Sequence, residues 1–158
     1  MTTDRQHRHP KVGASPEEKQ IKLGGNPESL DKQTIGWQFH TMDSRCADWP
    51  LGLSTRAPVW RSILQKLIGF EGLTWATIKE AAGGRNHGTN HHSLKISELS
   101  PSARRRISEL RLEQYDKVFS LRLENRIRLY GIRDGRVMRI LWYDPHHGTG
   151  RGVYLTQQ

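Results

Sequence analysis

The chain has 158 residues, one domain's worth, with a formal net charge of +9 and a pI near 10.1. Its hydrophobic fraction of 34% and mean hydropathy of −0.75 exclude a membrane-embedded helical protein and predict one core of moderate size beside well-solvated segments. The lone Cys46 excludes an internal disulfide and a cysteine-based metal centre, and suits the cytoplasm.

Residues 1–34 hold few large apolar side chains and many Lys, Arg, Gln, Pro and Gly, so they are expected to form a disordered basic leader. They lack the apolar run of a signal peptide, and the expected location is cytoplasmic. Residues 35–158 are expected to form a single α+β domain. Ile35, Trp37 and Phe39 alternate with polar neighbours and predict a first strand over Ile35–Thr41. Met42–Leu53 reads as a loop. In Ala57–Phe70 the residues Val59, Ile63, Leu64, Leu67 and Ile68 recur at helical spacing, and Pro58 suits a first turn. Thr74 is a plausible cap for a second helix through Ala82. Trp60 and Trp75 lie in phase with apolar neighbours, which places them in the core.

Arg85–Ser93 reads as a loop rich in glycine and histidine. Ser100-Pro101 caps a third helix running to about Gln114, with Ile107 and Leu110 inward and Arg104, Arg105, Arg106 and Arg111 in solvent. Three strands follow. Phe119, Leu121 and Leu123 alternate with Ser120, Arg122 and Glu124; Ile127 and Leu129 alternate with Arg126, Arg128 and Tyr130; Val137–Tyr143 is apolar except for Arg139. Asp134-Gly135 is a strong hairpin signal between the last two. The expected architecture is an antiparallel sheet of about four strands, one N-terminal and a C-terminal three-stranded meander. Two or three helices would pack on one face.

Between Arg104 and Ile140 stand ten Arg and one Lys against five acidic residues. The excess is guanidinium, which forks onto phosphate, so nucleic acid is the first expected partner and an acidic membrane surface the second. The other face of the meander carries Arg122, Arg126, Arg128 and Arg139, with Arg85 and Arg133 nearby as further nucleic-acid contacts. Tyr143, Asp144, His146 and His147 stand at the end of the last strand. His87 and His91 are four apart, but Gly88 and Asn90 argue against a helix that would bring them to one metal, and no metal or other cofactor is expected.

Imidazole is the side chain best poised for proton transfer near neutral pH. RNA supplies its own nucleophile, the 2′-hydroxyl, so cutting it needs a base, an acid and cations. His146 and His92 are the candidate acid and base. Arg122, Arg128 and Arg139 are candidates for phosphate charge, Tyr143 for positioning, and Asp144 for holding a histidine tautomer. The competing reading is that Asp144-Pro145 ends a strand and the histidines are exposed loop residues. Two non-enzymatic functions fit the same residues: a nucleic-acid-binding protein that blocks its target by occupancy, and a protein-interaction module docking an acidic partner.

The run Asn86–Leu94, the Arg-rich helix, FSLRLENRIRLYGIRDG and ILWYDPHH together resemble a group of small bacterial proteins. These carry a histidine before an Arg-rich helix, a double strand and a closing Trp-aromatic-Asp-Pro-x-His. The matching positions are His92, Phe119, Ser120, Leu121, Arg122, Arg128, Gly131, Trp142, Asp144, Pro145 and His146, within a stretch from about His87 to His147. More distantly, the layout resembles the RelE/YoeB type of toxin from toxin–antitoxin pairs. That resemblance implies a small basic α+β endoribonuclease acting on mRNA at the ribosome, and an acidic antitoxin covering the arginine face. The loop Arg85–Ser93, the third helix and the Asp-Pro pair depart from the toxin pattern, so only the general role of cations and histidine carries over.

Overall fold

A computed structural model describes residues 27–81 and 91–154. The fold is α+β. Helix α1 (Pro27–Asp31) precedes strand β1 (Gly36–Gln38), helices α2 (Ala57–Phe70) and α3 (Trp75–Glu80), and strand β2 (His91–Lys95). A 3-10 turn and helix α4 (Pro101–Glu109) then lead to β3 (Lys117–Glu124), β4 (Ile127–Asp134) and β5 (Val137–Asp144). The sheet order is β1-β5-β4-β3-β2, with β1 parallel to β5 and the other pairs antiparallel.

Local signals explain much of this. The Thr74 side chain accepts from the Thr77 N–H and that of Ser100 from the Ala103 N–H, the two expected caps. Gly135, with φ of 60°, turns β4 into β5. The α2 stripe buries Ile63, Leu67 and Phe70 against Leu121 and Leu129, at about 1.5–3 kcal/mol for each fully buried side chain.

Other expectations need correction. The sheet has five strands rather than about four, because His91–Lys95, whose first three residues composition places in the loop Arg85–Ser93, pairs along β3. His-His-Ser-Leu-Lys has little apolar alternation of its own; the partner strand's backbone groups make it a strand. The helices cover both faces instead of one. α2 and α3 pack on Phe119, Leu121, Leu129, Met138 and Ile140, while α4 packs through Ala103 and Ile107 on Val118, Tyr130, Ile132, Leu141 and Trp142. A bulge adds to the α4 face. Gly131 pairs with Ile140 and Tyr130 with Trp142, so Leu141 is the extra residue and joins Trp142 on the α4 side. Gly131 is needed there, since an added Cβ would stand 2.5 Å from the Arg139 carbonyl oxygen.

The end of the expected leader is structured: Asp31 in α1 forms ion pairs of 2.6 Å with both Lys79 and Arg133. The leader's first 26 residues lie outside the described residues. The third helix stops at Glu109, five residues early. Arg111 takes φ of 56°, Leu112 N–H donates to the Ile107 carbonyl and Arg111 N–H to that of Ser108, a Schellman closure. Arg106 is not solvated as expected but grips buried Asp43 with Nε and Nη2, at 2.7 and 2.6 Å.

Candidate functional site

Sheet register decides which of the singled-out residues meet. Arg122 on β3 is the direct partner of Arg128 on β4, and Arg128 of Asp144 on β5. Two residues further along, His92, Ser120, Tyr130 and Trp142 are successive partners across four strands. Directly paired residues share a face, and this is the α4 face.

Beyond Pro145 the chain turns back over this end of the sheet, and Asp144 holds the turn. Its Oδ1 accepts from the His146 N–H at 2.7 Å and its Oδ2 from the Val153 N–H at 2.9 Å. The turn is too tight for a side chain at Gly152, whose Cβ would stand 2.7 Å from the His146 carbonyl oxygen. The His147 N–H donates to the Arg126 carbonyl at 3.2 Å. The His147 ring lies between two tyrosines, with Nδ1 2.8 Å from the Tyr130 phenol oxygen and the ring stacked 5.8 Å from that of Tyr154. Arg128, His92 and Arg122 lie within electrostatic reach of it.

Burial controls the charges. Arg128 is 9% exposed; Nη1 donates to the Asn125 and Ile127 carbonyls, while Nε is buried without a hydrogen-bond partner. Burial, and next the Arg122 charge, lowers its pKa. The buried Ser120 hydroxyl is close enough to the Tyr130 phenol to act on its charge but makes no hydrogen bond of good geometry. Burial raises the Tyr130 pKa, so the phenol keeps its proton. For His147, burial first and then the charges of Arg128, His92 and Arg122 push the pKa down to about 4, so the imidazole is neutral at pH 7. His91 is held near the same value, by burial and then by Lys66, Arg128, Arg122 and His92. Its ring stands edge-on to Phe70, and its Nδ1 accepts from the Arg122 backbone N–H at 3.0 Å. His91 therefore supports the strand pairing.

Both depressed imidazoles make the fold sensitive to acid. Below the unfolded pKa, about 6.5, the unfolded chain takes up protons that the folded protein refuses, so stability is full above that pH and falls as pH drops towards 4. The slope is at most about 1.4 kcal/mol per pH unit for each ring, less where solvent reaches His147. His91→Asn keeps an acceptor for the Arg122 N–H but does not titrate. Its melting temperature should fall less than wild type's between about pH 7 and pH 5; equal falls would contradict the assignment.

The remaining candidates are placed elsewhere. His146 turns away, lining a hollow of about 340 Å³ with Ser100, Ser102 and Arg151. Tyr143 lies on the opposite face, beside Arg56 and Val59, because the Leu141 bulge shifts it out of phase with Arg139. Asp144 orients no imidazole; its oxygens accept from backbone N–H groups. Arg139 shares the α4 face but pairs with Ile132, four residues along β4 from Arg128 or about 13 Å. It donates to the Tyr115 hydroxyl at 2.7 Å. Arg133 lies over the Trp75 ring at 4.3 Å and pairs with Asp31, a structural role. Arg126 is exposed at the β3–β4 turn. Arg85 and His87 lie outside the described residues.

The cluster that forms is therefore Arg122, Arg128, His92 and His147, with Tyr130 bonded to His147 and Asp144 holding the turn that carries it. Among the described residues no group of three or more His, Cys, Asp or Glu is placed to hold a metal ion. No helix among them is long and apolar enough to cross a membrane. The chain matches no family model, no curated protein and no solved structure.

Proposed function

We propose that the chain is a toxin-like endoribonuclease cleaving RNA by metal-independent acid–base chemistry at the Arg122–Arg128–His92–His147 end of the sheet. The observation that carries this is the meeting of two guanidinium groups and two imidazoles on one face, beside a carboxylate whose oxygens the backbone already engages. RNA brings the 2′-hydroxyl, so the protein supplies proton transfer and charge. Arg122 and Arg128 take up the charge that builds on the phosphorane. With its Nδ1 proton donated to the Tyr130 oxygen, neutral His147 presents Nε2 as the base for the 2′-hydroxyl. His92, half-buried on the next row, gives a proton to the leaving 5′ oxygen. The partners under this proposal are RNA, free or on the ribosome, and an acidic antitoxin covering the arginine face; the setting is cytoplasmic.

The Tyr130–His147 bond also favours a second reading. In the other tautomer the phenol donates to Nδ1 and Nε2 carries the proton. The same face then binds RNA and blocks a target without cutting. Incubating the purified chain with labelled RNA in a chelator, with and without ribosomes, separates the two. Cleavage supports the nuclease, salt-sensitive binding without products supports the blocking protein, and absence of both overturns the proposal.

A further inference from the structure

Arg122 and Arg128 face each other on neighbouring strands in direct register. Like charges so placed destabilise a sheet. The carboxylate next in the row favours the Arg128 charge through space, while its two oxygens accept from the His146 and Val153 N–H groups. Arg128 Nε is buried at this spot without a hydrogen-bond partner, and Ser120 Oγ beside it makes no hydrogen bond of good geometry. Buried polar groups are nearly always satisfied. His147 is fixed beside them between Tyr130 and Tyr154.

We infer that this cluster is a seat for one tetrahedral oxyanion, a phosphate group, and that in acid solution the anion brings a proton with it onto His147. The inference deepens the nucleic-acid reading and rests on it for the source of the phosphate. The groups facing His147 are Arg128 and Tyr130 from β4, Arg122 from β3, His92 from β2 and Tyr154 from the final segment, with Asp144 of β5 in register beside Arg128. In the protein alone, burial and the three basic neighbours keep the ring neutral. An anion between the arginines offsets their repulsion of a proton while the Tyr130 bond stays in place. The charged imidazole then adds a charge-assisted donor to the anion. The complex thus has the higher His147 pKa, so binding takes up a proton in acid solution, near the raised midpoint; at pH 7 the ring stays neutral and Nε2 stays available as a base. Affinity rises as pH falls, until the protein alone is also protonated near pH 4.

The test follows the His147 ring by NMR between about pH 4 and pH 8, in sulfate and in chloride of equal ionic strength. Sulfate stays a dianion throughout, so any difference belongs to the protein. The expected result is a His147 midpoint higher in sulfate by about one pH unit or more, a tenfold gain in proton affinity, and no such gain in Arg122→Gln. Arg128 is buried and its variants risk the fold, whereas Arg122→Gln is checked by its amide spectrum. The uncleavable DNA dinucleotide TpT raising the midpoint identifies a nucleic-acid phosphodiester; inorganic phosphate raising it while TpT does not identifies a free phosphate. Equal midpoints in sulfate and chloride, or a gain that persists in Arg122→Gln, overturn the inference. A sulfate response without RNA cleavage leaves the seat standing and removes the nuclease; cleavage without the response does the reverse.

Discussion

His147→Ala is expected to slow RNA cleavage by roughly 10²–10⁴-fold, the usual cost of losing a general base. His146→Ala should leave the rate nearly unchanged. The two residues are adjacent in sequence, yet one lies between Tyr130 and Tyr154 within reach of Arg122 and Arg128, and the other lines a hollow with Ser100 and Arg151. Deleting the His147 ring also removes its bond to Tyr130, so His147→Gln is the companion variant, keeping a polar side chain there. If both His147 variants fold, shown by wild-type thermal melting, and both lose cleavage, the loss belongs to the chemistry. A wild-type rate in either variant, or an equal loss in His146→Ala, would remove His147 from the mechanism.

Asp43→Ala is expected to cost about 3–5 kcal/mol, the range for breaking a buried ion pair. Asp43 is 4% exposed and ties three parts of the fold together. Its carboxylate accepts from Arg106 of α4 at 2.6 and 2.7 Å and from the Trp142 indole of β5 at 2.9 Å, and its backbone N–H donates to the Leu141 carbonyl. Burial pushes the carboxyl pKa up, but the Arg106 and Trp142 hydrogen bonds outweigh it and hold the group below the ordinary aspartate value. The alanine variant leaves the indole N–H buried without an acceptor and Arg106 with only the exposed Glu109 carboxylate. A domain of this size has about 5–15 kcal/mol of stability in all, so the melting temperature should fall by roughly 10–15 °C. Asp43→Asn keeps an acceptor for Trp142 and should cost distinctly less. Urea unfolding measures both, and a loss under about 1 kcal/mol in the alanine variant would contradict the keystone role.

Where local pattern suffices, the sequence predicts the structure. The meander follows from alternation, its second turn from Asp134-Gly135, and the helix starts from Thr74 and Ser100. Where a long-range contact decides, it does not. β2 forms because β3 offers an edge. Arg106 is ordered by Asp43, which is far away in sequence. The bulge at Leu141 is invisible in an unbroken apolar run, yet it puts Trp142 on the α4 side and takes Tyr143 off the arginine side. The site divides the same way. Arg122 and Arg128 share a face by simple alternation, and His92 joins them once β2 pairs with β3. The choice between His146 and His147 depends on Asp144 capturing a backbone N–H nine residues ahead, and no periodicity encodes that.

In the proposed mechanism this cluster turns RNA's own 2′-hydroxyl against the neighbouring phosphate. The ends of the product test it most directly, after digestion in a chelator of an RNA with one defined cut site and of the same RNA carrying a single 2′-deoxy sugar there. The account predicts 2′,3′-cyclic phosphate and 5′-hydroxyl ends, with no cut at the deoxy position. Ends bearing 3′-hydroxyl and 5′-phosphate, or a cut that ignores the missing 2′-hydroxyl, would contradict it.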